Sequence, residues 1–248
     1  MNPMSEAPQR IALVTCSYQQ GRYIEATLRS VLEQRYPALE YVVVDGGSTD
    51  ATPAILARYR DRCTGVVIEP DRGQTDALVK GFALTRAPIM GWLCSDDLLL
   101  RGALATVDRY FREHPEVDAV YGDALWIDAD GRLLRPKREI SFNRFVFLHD
   151  HNYIPQPAMF WRRGVYERVG GLDSGFDLAM DSDLWERFSR RGRIAHVPRY
   201  LAAMRHYAAQ KTRSRRPRGR LEDAAIRRRS AAGALPWARP VCQAAARL

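Results

Sequence analysis

A repeated order of strand-like and helix-like segments in the first 100 residues most narrows what this chain can fold into. Short apolar runs rich in β-branched residues, typical of buried strands, occur at 11–15, 41–44, 66–68 and 89–93. The segments between them carry apolar residues at helical spacing. Strands and helices that alternate at this interval form βαβ units around a mainly parallel sheet. We therefore predict an α/β fold with a Rossmann-like central sheet flanked by helices.

Polar residues follow each of the four predicted strands. They occupy positions 15–18, 45–48, 69–73 and 95–97. The carboxyl ends of parallel strands meet at one edge of a sheet, and ligands of open α/β sheets bind beyond that edge. We therefore expect these four segments to form one site.

The second half of the sequence follows a different pattern. We predict an irregular stretch at 135–155 that borders part of the site, and a final helix of the domain at 177–191. We predict a flexible N-terminus at 1–9 and one folded domain at 10–212, whose halves are 10–100 and 101–212. A basic tail follows at 213–248. The segment 213–220 is too rich in arginine to pack, so we expect a linker or mobile loop there.

The net charge of +9 is concentrated at the C-terminal end. Residues 1–204 contain 26 Lys and Arg against 27 Asp and Glu, whereas residues 205–248 contain 12 against Glu222 and Asp223. A nucleic-acid-binding domain usually carries its basic surface on the fold itself, so we expect no nucleic-acid partner. The tail either solubilises the chain or contacts anionic lipid.

Compartment signals are few in this sequence. No stretch approaches the ~18 apolar residues of a membrane span, and the first ten residues lack the apolar core of a signal peptide. Cys16 and Cys94 lie in apolar runs, which is typical of buried free thiols. We expect a cytoplasmic protein, peripheral to the inner face of the plasma membrane if the tail binds lipid.

Two adjacent carboxylates, Asp96 and Asp97, end the fourth predicted strand. Such neighbours repel each other unless a cation lies beside them. Oxygen ligands suit Mg²⁺ or Mn²⁺, which can also bridge to a diphosphate. The alternative is one helix N-cap and one solvated aspartate.

The segment VVDGGSTD at 43–50 forms the second motif. Its two glycines allow a sharp turn and a close approach to a ligand. Asp45 can accept a hydrogen bond from the imide N–H of a base, and the alternative is an ordinary turn capped by Ser48. The segment is not a Walker A loop, and no GxGxxG follows the first strand.

Three further groups of residues are candidates for the same site. Arg72 is a candidate for nucleotide contact and Asp76 for a sugar hydroxyl, with helix capping as the alternative. Asp181 and Asp183 lie two residues apart on a predicted helix, so only one can readily face a shared site as a general base. His206 can bind a metal and Lys211 can neutralise phosphate, and the alternative is that both are surface residues.

The motifs taken together, in this order, resemble the inverting glycosyltransferases of family 2, which have the GT-A fold. The resemblance spans about residues 10–212. The matching pieces are IALVTCSYQQGRYIEATLRSVLEQRYP, YVVVDGGSTDAT, EPDRGQTDALVKGF, GWLCSDDLL, QPAMFWRRGVYERVGGLD, MDSDLW and RHYAAQKT.

The resemblance implies a role for each matched residue. It implies base contact by Asp45, ribose or donor-sugar contact by Asp96, a metal held by Asp97 and His206, and proton abstraction from the acceptor by Asp181. Met180 replaces a glutamate that often precedes that aspartate, so the choice between Asp181 and Asp183 stays open. Further nucleotide contacts are implied at Thr15, Ser17 and Tyr18, and Ser48 is another candidate for nucleotide binding.

The function implied by the resemblance is transfer of a sugar from a nucleoside-diphosphate sugar, preferably a UDP-sugar, to a hydroxyl acceptor. The acceptor would be a glycan or a lipid-linked molecule of cell-surface polysaccharide, lipopolysaccharide or glycolipid synthesis. Mn²⁺ or Mg²⁺ would assist a single displacement. The alternative is a nucleotidyltransferase or another magnesium-dependent nucleotide enzyme. Such an enzyme usually has a glycine-rich phosphate loop after its first strand, where this chain has CSYQQGRY.

Overall fold

Nine strands form one sheet in the computed structural model, which describes residues 7–230. The strands are β1 (Ile11–Ser17), β2 (Leu39–Asp45), β3 (Gly65–Ile68), β4 (Ile89–Cys94), β5 (Leu98–Leu99), β6 (Ala119–Ile127), β7 (Leu133–Lys137), β8 (Met159–Arg162) and β9 (Ile194–Arg205). The helices are α1 (Ile24–Leu32), α2 (Thr52–Tyr59), α3 (Gln74–Ala83), α4 (Ala103–Glu113), α5 (Arg144–His149), α6 (Arg163–Arg168), α7 (Met180–Arg191), α8 (Lys211–Ser214) and α9 (Arg216–Arg229).

Four parallel strands, in the order β3-β2-β1-β4, make up one half of the sheet. Their register aligns Ser17 with Asp45, and Cys16 with both Val44 and Cys94. The carboxyl ends of β1, β2 and β4 therefore lie side by side, as the sequence predicts. This half confirms the α/β class and the βαβ arrangement.

The other half of the sheet has mixed pairing. β8 runs antiparallel to β4 and to β6, whereas β9 runs parallel to β6 and antiparallel to β5. The sequence analysis did not predict β9, whose register against β6 shifts twice near Asp123. Such bulges break the alternation that marks a strand in sequence. The stretch 135–155, predicted to be irregular, contains the end of β7 and the helix α5.

Helices cover both faces of the sheet, and each face has its own apolar core. Leu13 packs with α1, α2 and α4 on one face, whereas the next residue, Val14, packs with α3 and α7 on the other. Successive side chains of a strand point to opposite faces, so a strand covered on both faces is apolar throughout. This explains the uninterrupted apolar runs in the sequence.

Three tryptophans form the centre of the second core. Trp92 stacks on Trp185 with ring centroids 5.4 Å apart, and Trp161 meets both rings at 5.3–5.4 Å. All three are at most 1% exposed. Full burial of a large apolar side chain contributes about 1.5–3 kcal/mol. These residues therefore anchor β4, β8 and α7 to one another.

The predicted linker at 213–220 is wrong, because the structure places these residues in α8 and α9. Pro217 stands in the first turn of α9, where a missing N–H has no cost. Glu222 and Ile226, four residues apart, are buried against the domain, so one face of the helix docks despite its many arginines. The rest of the predicted tail, from residue 231, and residues 1–6 of the predicted flexible N-terminus lie outside the described residues.

Within residues 7–230, no helix is both long and apolar enough to span a bilayer.

Close packing of α3 on β1 depends on Gly81. A Cβ at this position would lie 2.4 Å from Cγ1 of Val14. We predict that Gly81→Ala lowers the free energy of unfolding by about 1–3 kcal/mol, because overpacking outweighs the helix propensity of alanine. Urea denaturation measures this change. Gly164→Ala is the control, since nothing lies within 4 Å of its Cβ position in α6. A loss of stability in the control that equals the loss in Gly81→Ala would contradict the packing explanation.

Candidate active site

The loops after β1 and β2 are joined through Gln19. Its backbone N–H donates to the hydroxyl of Ser48 at 2.7 Å. Its side-chain oxygen accepts from the N–H groups of Thr49 and Asp50 at 3.3 and 3.2 Å. The two strand ends therefore form one continuous rim.

Asp45 at the end of β2 holds the turn that follows it. The backbone N–H and the hydroxyl of Ser48 each donate to its carboxylate at 2.7 Å. The side chain of Asp45 is 0% exposed. Gly46 allows a close approach from the next loop, since a Cβ there would lie 2.7 Å from an oxygen of Asp71. Hydrogen bonds between Ser48 and Asp45 therefore hold this turn, as in the alternative of a capped turn. Asp45 shapes the site by fixing the turn.

The carboxylates of Asp96 and Asp97 lie together at the end of β4. They are 9% and 6% exposed. Burial raises the pKa of both, and the charge of Asp96 adds to the shift at Asp97, whose pKa is well above its ordinary value. Two buried carboxylates this close are stabilised by a shared cation.

The end of β9 supplies positive charge and hydrogen bonds to this pair. The backbone N–H of Arg205 donates to Oδ1 of Asp97 at 2.8 Å, and its Nε donates to the carbonyl of Asp96 at 2.9 Å. The hydroxyl of Tyr207 donates to Oδ2 of Asp96 at 2.9 Å. Sequence reasoning assigned no role to Arg205 or Tyr207, although both flank His206 in the RHYAAQKT motif.

The residues present fit a divalent cation. Ligand atoms of Cys94, Asp96 and Asp97 lie within 4.8 Å of one another. The Cys94 thiol is kept protonated, because a hydrogen bond with Cys16 and burial raise its pKa. Oxygen ligands and a protonated thiol favour Mg²⁺ or Mn²⁺ over a soft metal. The two aspartates are therefore the candidate ligands.

His206 lies outside that group of ligand atoms. Its ring packs on Trp126 with centroids 4.2 Å apart, and the guanidinium of Arg135 lies 3.7 Å from the centroid of the Trp126 ring. Burial and nearby arginines lower the pKa of His206, so the ring is neutral at pH 7. Its Nε2 atom is buried and has no hydrogen-bond partner among residues 7–230.

Asp181 stands in the first turn of α7. Asn152, from the loop after α5, donates to its Oδ2 at 3.1 Å. Burial raises the pKa of Asp181 to about 6, and the charge of Asp223 adds to this shift. A carboxylate with this pKa is ionised at pH 7 and still basic enough to accept a proton.

Asp183 is held inside the protein. It is 0% exposed, and its Oδ2 accepts from Nε and a terminal nitrogen of Arg187 at 2.9 and 2.6 Å. Its other oxygen pairs with Arg229 of α9. Two arginines therefore neutralise Asp183, whereas no arginine pairs with Asp181 among the described residues.

Contacts from α3 connect α7 with the strand ends. The hydroxyl of Thr75 donates to the carbonyl of Phe176 at 3.0 Å and contacts the sulfur of Met180 at 3.1 Å. The side chain of Gln74 donates to Sγ of Cys94 at 3.2 Å. The first turn of α3 thus lies between Asp181 and the Asp96–Asp97 pair.

The other candidates on this side are tied to ion-pair partners. Arg72 is 88% exposed at its side chain and pairs with Asp76 at 2.7 Å. Hydrogen bonds from Arg72 lower the pKa of Asp76 to about 2, with Lys80 contributing. Lys211 donates to the carboxylate of Asp177 at 2.6 Å and to its carbonyl at 2.9 Å.

The structure places the three candidates of β1 differently. Thr15 is fully buried and its hydroxyl is hydrogen-bonded to that of Tyr41 at 3.0 Å, so a nucleotide contact at this position stays a prediction that its side chain does not support. Thr15 lies within β1, and its side chain faces the first of the two cores. Ser17 is at the strand end, with a buried hydroxyl that has no partner among residues 7–230. Tyr18 is 61% exposed beyond the strand.

The structure predicts opposite effects of two neighbouring substitutions. Asp183→Asn leaves Arg187 and Arg229 without their carboxylate. It should lower the free energy of unfolding by about 2–4 kcal/mol, less than for a fully buried pair because both arginines are partly exposed. Asp181→Asn should not destabilise the protein at pH 7.5. It should instead raise the free energy of unfolding, because it removes a carboxylate whose raised pKa costs stability from its ordinary value of 3.8 upward and in full above about pH 6.

Urea denaturation of both variants at pH 7.5 and pH 5 tests this pair of expectations. The stability that Asp181→Asn gains over wild type should be smaller at pH 5 than at pH 7.5, because the cost of a raised carboxyl pKa builds up between the ordinary value of 3.8 and about pH 6. Equal destabilisation by the two substitutions at pH 7.5 would contradict the assignment.

Comparisons with known proteins agree with this geometry. The model of the family described as "Glycosyl transferase family 2" matches residues 12–170. An uncharacterized protein of Mycobacterium tuberculosis is 31% identical over 229 residues, 84% of this chain and 71% of that protein. The O-antigen biosynthesis protein RfbC of Myxococcus xanthus is 31% identical over 205 residues, 80% of this chain but only 16% of RfbC.

Solved structures show the same fold. TarS 1–349 of S. aureus, in complex with UDP-GlcNAc, aligns with a TM-score of 0.67 and 17% identity over 81% of this chain and 60% of the TarS chain. The mannosyltransferase PcManGT from Pyrobaculum calidifontis, in complex with GDP-Man and Mn²⁺, aligns with a TM-score of 0.67 and 22% identity, over 97% of this chain and 74% of that one. These likenesses confirm the predicted GT-A type of fold. With the family match over residues 12–170, they establish that the chain belongs to glycosyl transferase family 2.

Proposed function

We propose that this protein is an inverting glycosyltransferase that moves a sugar from a nucleoside-diphosphate sugar to a hydroxyl acceptor. One observation carries the proposal. A buried pair of carboxylates, Asp96 and Asp97, follows β4, and a basic carboxylate, Asp181, stands in the first turn of α7. The first turn of α3 connects the two groups. Solved neighbours bound to UDP-GlcNAc and to GDP-Man with Mn²⁺ support a nucleotide-sugar donor.

Asp97 and Asp96 would hold a divalent cation, Mn²⁺ or Mg²⁺. When bound, such an ion supplies Lewis-acid neutralisation of the diphosphate leaving group. His206 is a further proposed ligand, since its neutral ring and unpartnered Nε2 atom suit metal binding. Arg205 and Tyr207 hold the two aspartates in place from β9.

The nucleotide would bind across the rim formed by the ends of β1 and β2. Tyr18 is exposed there and offers a face on which a base can stack. Asp45 and Ser48 shape the turn beneath it, and the unpartnered hydroxyl of Ser17 is a hydrogen-bond donor at the same edge. We prefer uridine as the base, because Asp45 can accept from an imide N–H if the turn opens.

Charged residues around the rim would bind the remainder of the donor. Arg72 is exposed enough to reach a phosphate, and Asp76, ionised at all relevant pH values, can accept from a sugar hydroxyl. Lys211 can neutralise phosphate by exchanging its contact with Asp177. Each of these roles requires an ion pair of the free protein to rearrange.

Asp181 would take the proton from the acceptor hydroxyl as that oxygen attacks the anomeric carbon. Asn152 orients the carboxylate through a hydrogen bond to Oδ2. Attack from the side opposite the leaving nucleotide inverts the configuration in one displacement. No covalent intermediate with the protein is needed, so the site requires no nucleophilic side chain.

The relatives support a cell-surface product. They include the O-antigen protein RfbC and glycosyltransferases of PGL/p-HBAD biosynthesis from Mycobacterium. We propose a glycan or lipid-linked acceptor, and action at the cytoplasmic face of a membrane. The exposed arginines of α8 and α9, such as Arg213, Arg216 and Arg220, offer a surface for anionic lipid.

Product analysis with Asp181→Asn tests the proposal. The purified chain is incubated with Mn²⁺ and UDP-GlcNAc, UDP-glucose or GDP-mannose, with water as the acceptor. We predict release of the nucleoside diphosphate, whereas a nucleotidyltransferase acting on nucleoside triphosphate and sugar phosphate would release pyrophosphate. Asp181→Asn should reduce this rate by about 10²–10⁴-fold, because general-base catalysis is lost.

The same variant should leave nucleotide affinity unchanged, as measured by calorimetry. Glu113→Gln is the control, since Glu113 is an exposed carboxylate at the end of α4. A wild-type rate in Asp181→Asn would exclude Asp181 as the base. Pyrophosphate release from a nucleoside triphosphate would favour the nucleotidyltransferase.

A further inference from the structure

Helix α9 holds the turn that leads into α7. Ala179 precedes α7 and offers no side-chain cap. The carboxylate of Glu222, from α9, accepts the backbone N–H groups of Asp177, Leu178 and Ala179 at 2.8–3.2 Å. Unpaired N–H groups at a helix start are costly when buried, and a carboxylate is the preferred partner there.

A second contact holds the same turn from its other side. Arg229, at the end of α9, pairs with Asp183, two residues beyond Asp181. Ile226 lies between these two contacts and is 3% exposed. The chain that carries Asp181 is therefore fixed to α9 both before and after the proposed base.

A third interaction between α9 and this turn is electrostatic. Asp223 lines a small cleft together with Asn152, Ser182 and Arg227. Asn152 is the hydrogen-bond partner of Asp181 and Ser182 is the next residue, so the charge of Asp223 lies near enough to raise the pKa of Asp181, in addition to the larger effect of burial. Arg227 in turn offsets part of the charge of Asp223. Asn152, the partner of Asp181, is neutral and lies in the same cleft.

We propose that α9 is a positioning element for the acceptor side of the active site, with Glu222 fixing the turn that bears Asp181 and Asp223 setting the charge around it. This inference rests on the proposed function, in which Asp181 is the base. It assigns a role to a segment that lies beyond the family match at 12–170. Neither Glu222 nor Asp223 touches a substrate in this account, so both act through Asp181.

The charge effect is tested by carbon NMR of the full chain labelled at its aspartate carboxyl groups. The Asp181 resonance is identified by its absence in Asp181→Asn. We expect it to titrate near pH 6 in the wild type. In Asp223→Asn the midpoint should move toward the ordinary value of 3.8, because loss of a nearby negative charge favours the ionised form. The exposed Asp61→Asn is the matched control and should leave the midpoint unchanged. An equal midpoint in wild type and Asp223→Asn would overturn the role of Asp223.

The positioning effect is tested by amide hydrogen exchange. In Glu222→Ala, exchange at residues 177–183 should rise by at least about tenfold, because three N–H groups lose their acceptor. Exchange in β1 and β4 should stay at the wild-type level. Glu222→Gln should restore most of the protection, since its amide oxygen still accepts hydrogen bonds. Unchanged exchange at 177–183 in Glu222→Ala would overturn the role of Glu222.

Neither measurement needs turnover. An active wild type with an unmoved Asp181 midpoint counts against the role of α9 alone. The expected shifts in a protein that never releases a nucleoside diphosphate count against the proposed function alone.

Discussion

The site is organised around two like charges that share a strand end. Asp96 and Asp97 are both nearly buried, and their raised pKa values show how unfavourable the ionised pair is without a cation. Hydrogen bonds from neighbouring elements hold the turn that carries this charge. The threonine hydroxyl of Thr27, from α1, donates to the carbonyls of Ser95 and Asp97 at 2.9 and 2.8 Å and fixes the turn. Arg205 and Tyr207 add donors from β9.

The mixed half of the sheet supplies these donors to the acidic pair. β9 runs parallel to β6, so its carboxyl end reaches the same edge as the ends of β1, β2 and β4. Arg205 at that end also donates to the carbonyls of Asp128 and Ala129, which ties the β6–β7 turn to the acidic pair. The second half of the chain therefore contributes the positive charge of Arg205 beside the acidic pair, and the first turn of α7 with the proposed base. Neither half contains the site alone.

Sequence reasoning predicted the parallel half well, because βαβ units leave a local record. Apolar runs end in polar residues, and glycines mark the turn where Gly46 approaches Asp71. It also placed Asp45 and the Asp96–Asp97 pair at the ends of parallel strands that the structure aligns. It failed where long-range packing decides the outcome. The polar motif after β1 does not reveal that the hydroxyl of Thr15 is engaged by the inward-facing Tyr41.

The same limit applies to the C-terminal segment. Arginine-rich composition indicates solvent exposure, and the arginines of α9 are largely exposed. What fixes the helix is a minority of residues, above all Glu222, whose partners lie 43–45 positions away in the chain. No local pattern records such a contact. The distinction between Asp181 and Asp183 is of the same kind, since it depends on Arg229 approaching from α9.

The central claim is that Asp96 and Asp97 form the cation and diphosphate site. Anomalous diffraction from crystals grown with Mn²⁺ and UDP, recorded at the manganese absorption edge, tests it most directly. The account predicts one strong anomalous peak in contact with a carboxylate oxygen of Asp97 and with the diphosphate, and the uridine beside Tyr18. A nucleotide bound at this rim with no manganese at the aspartates, or manganese bound elsewhere, would contradict it.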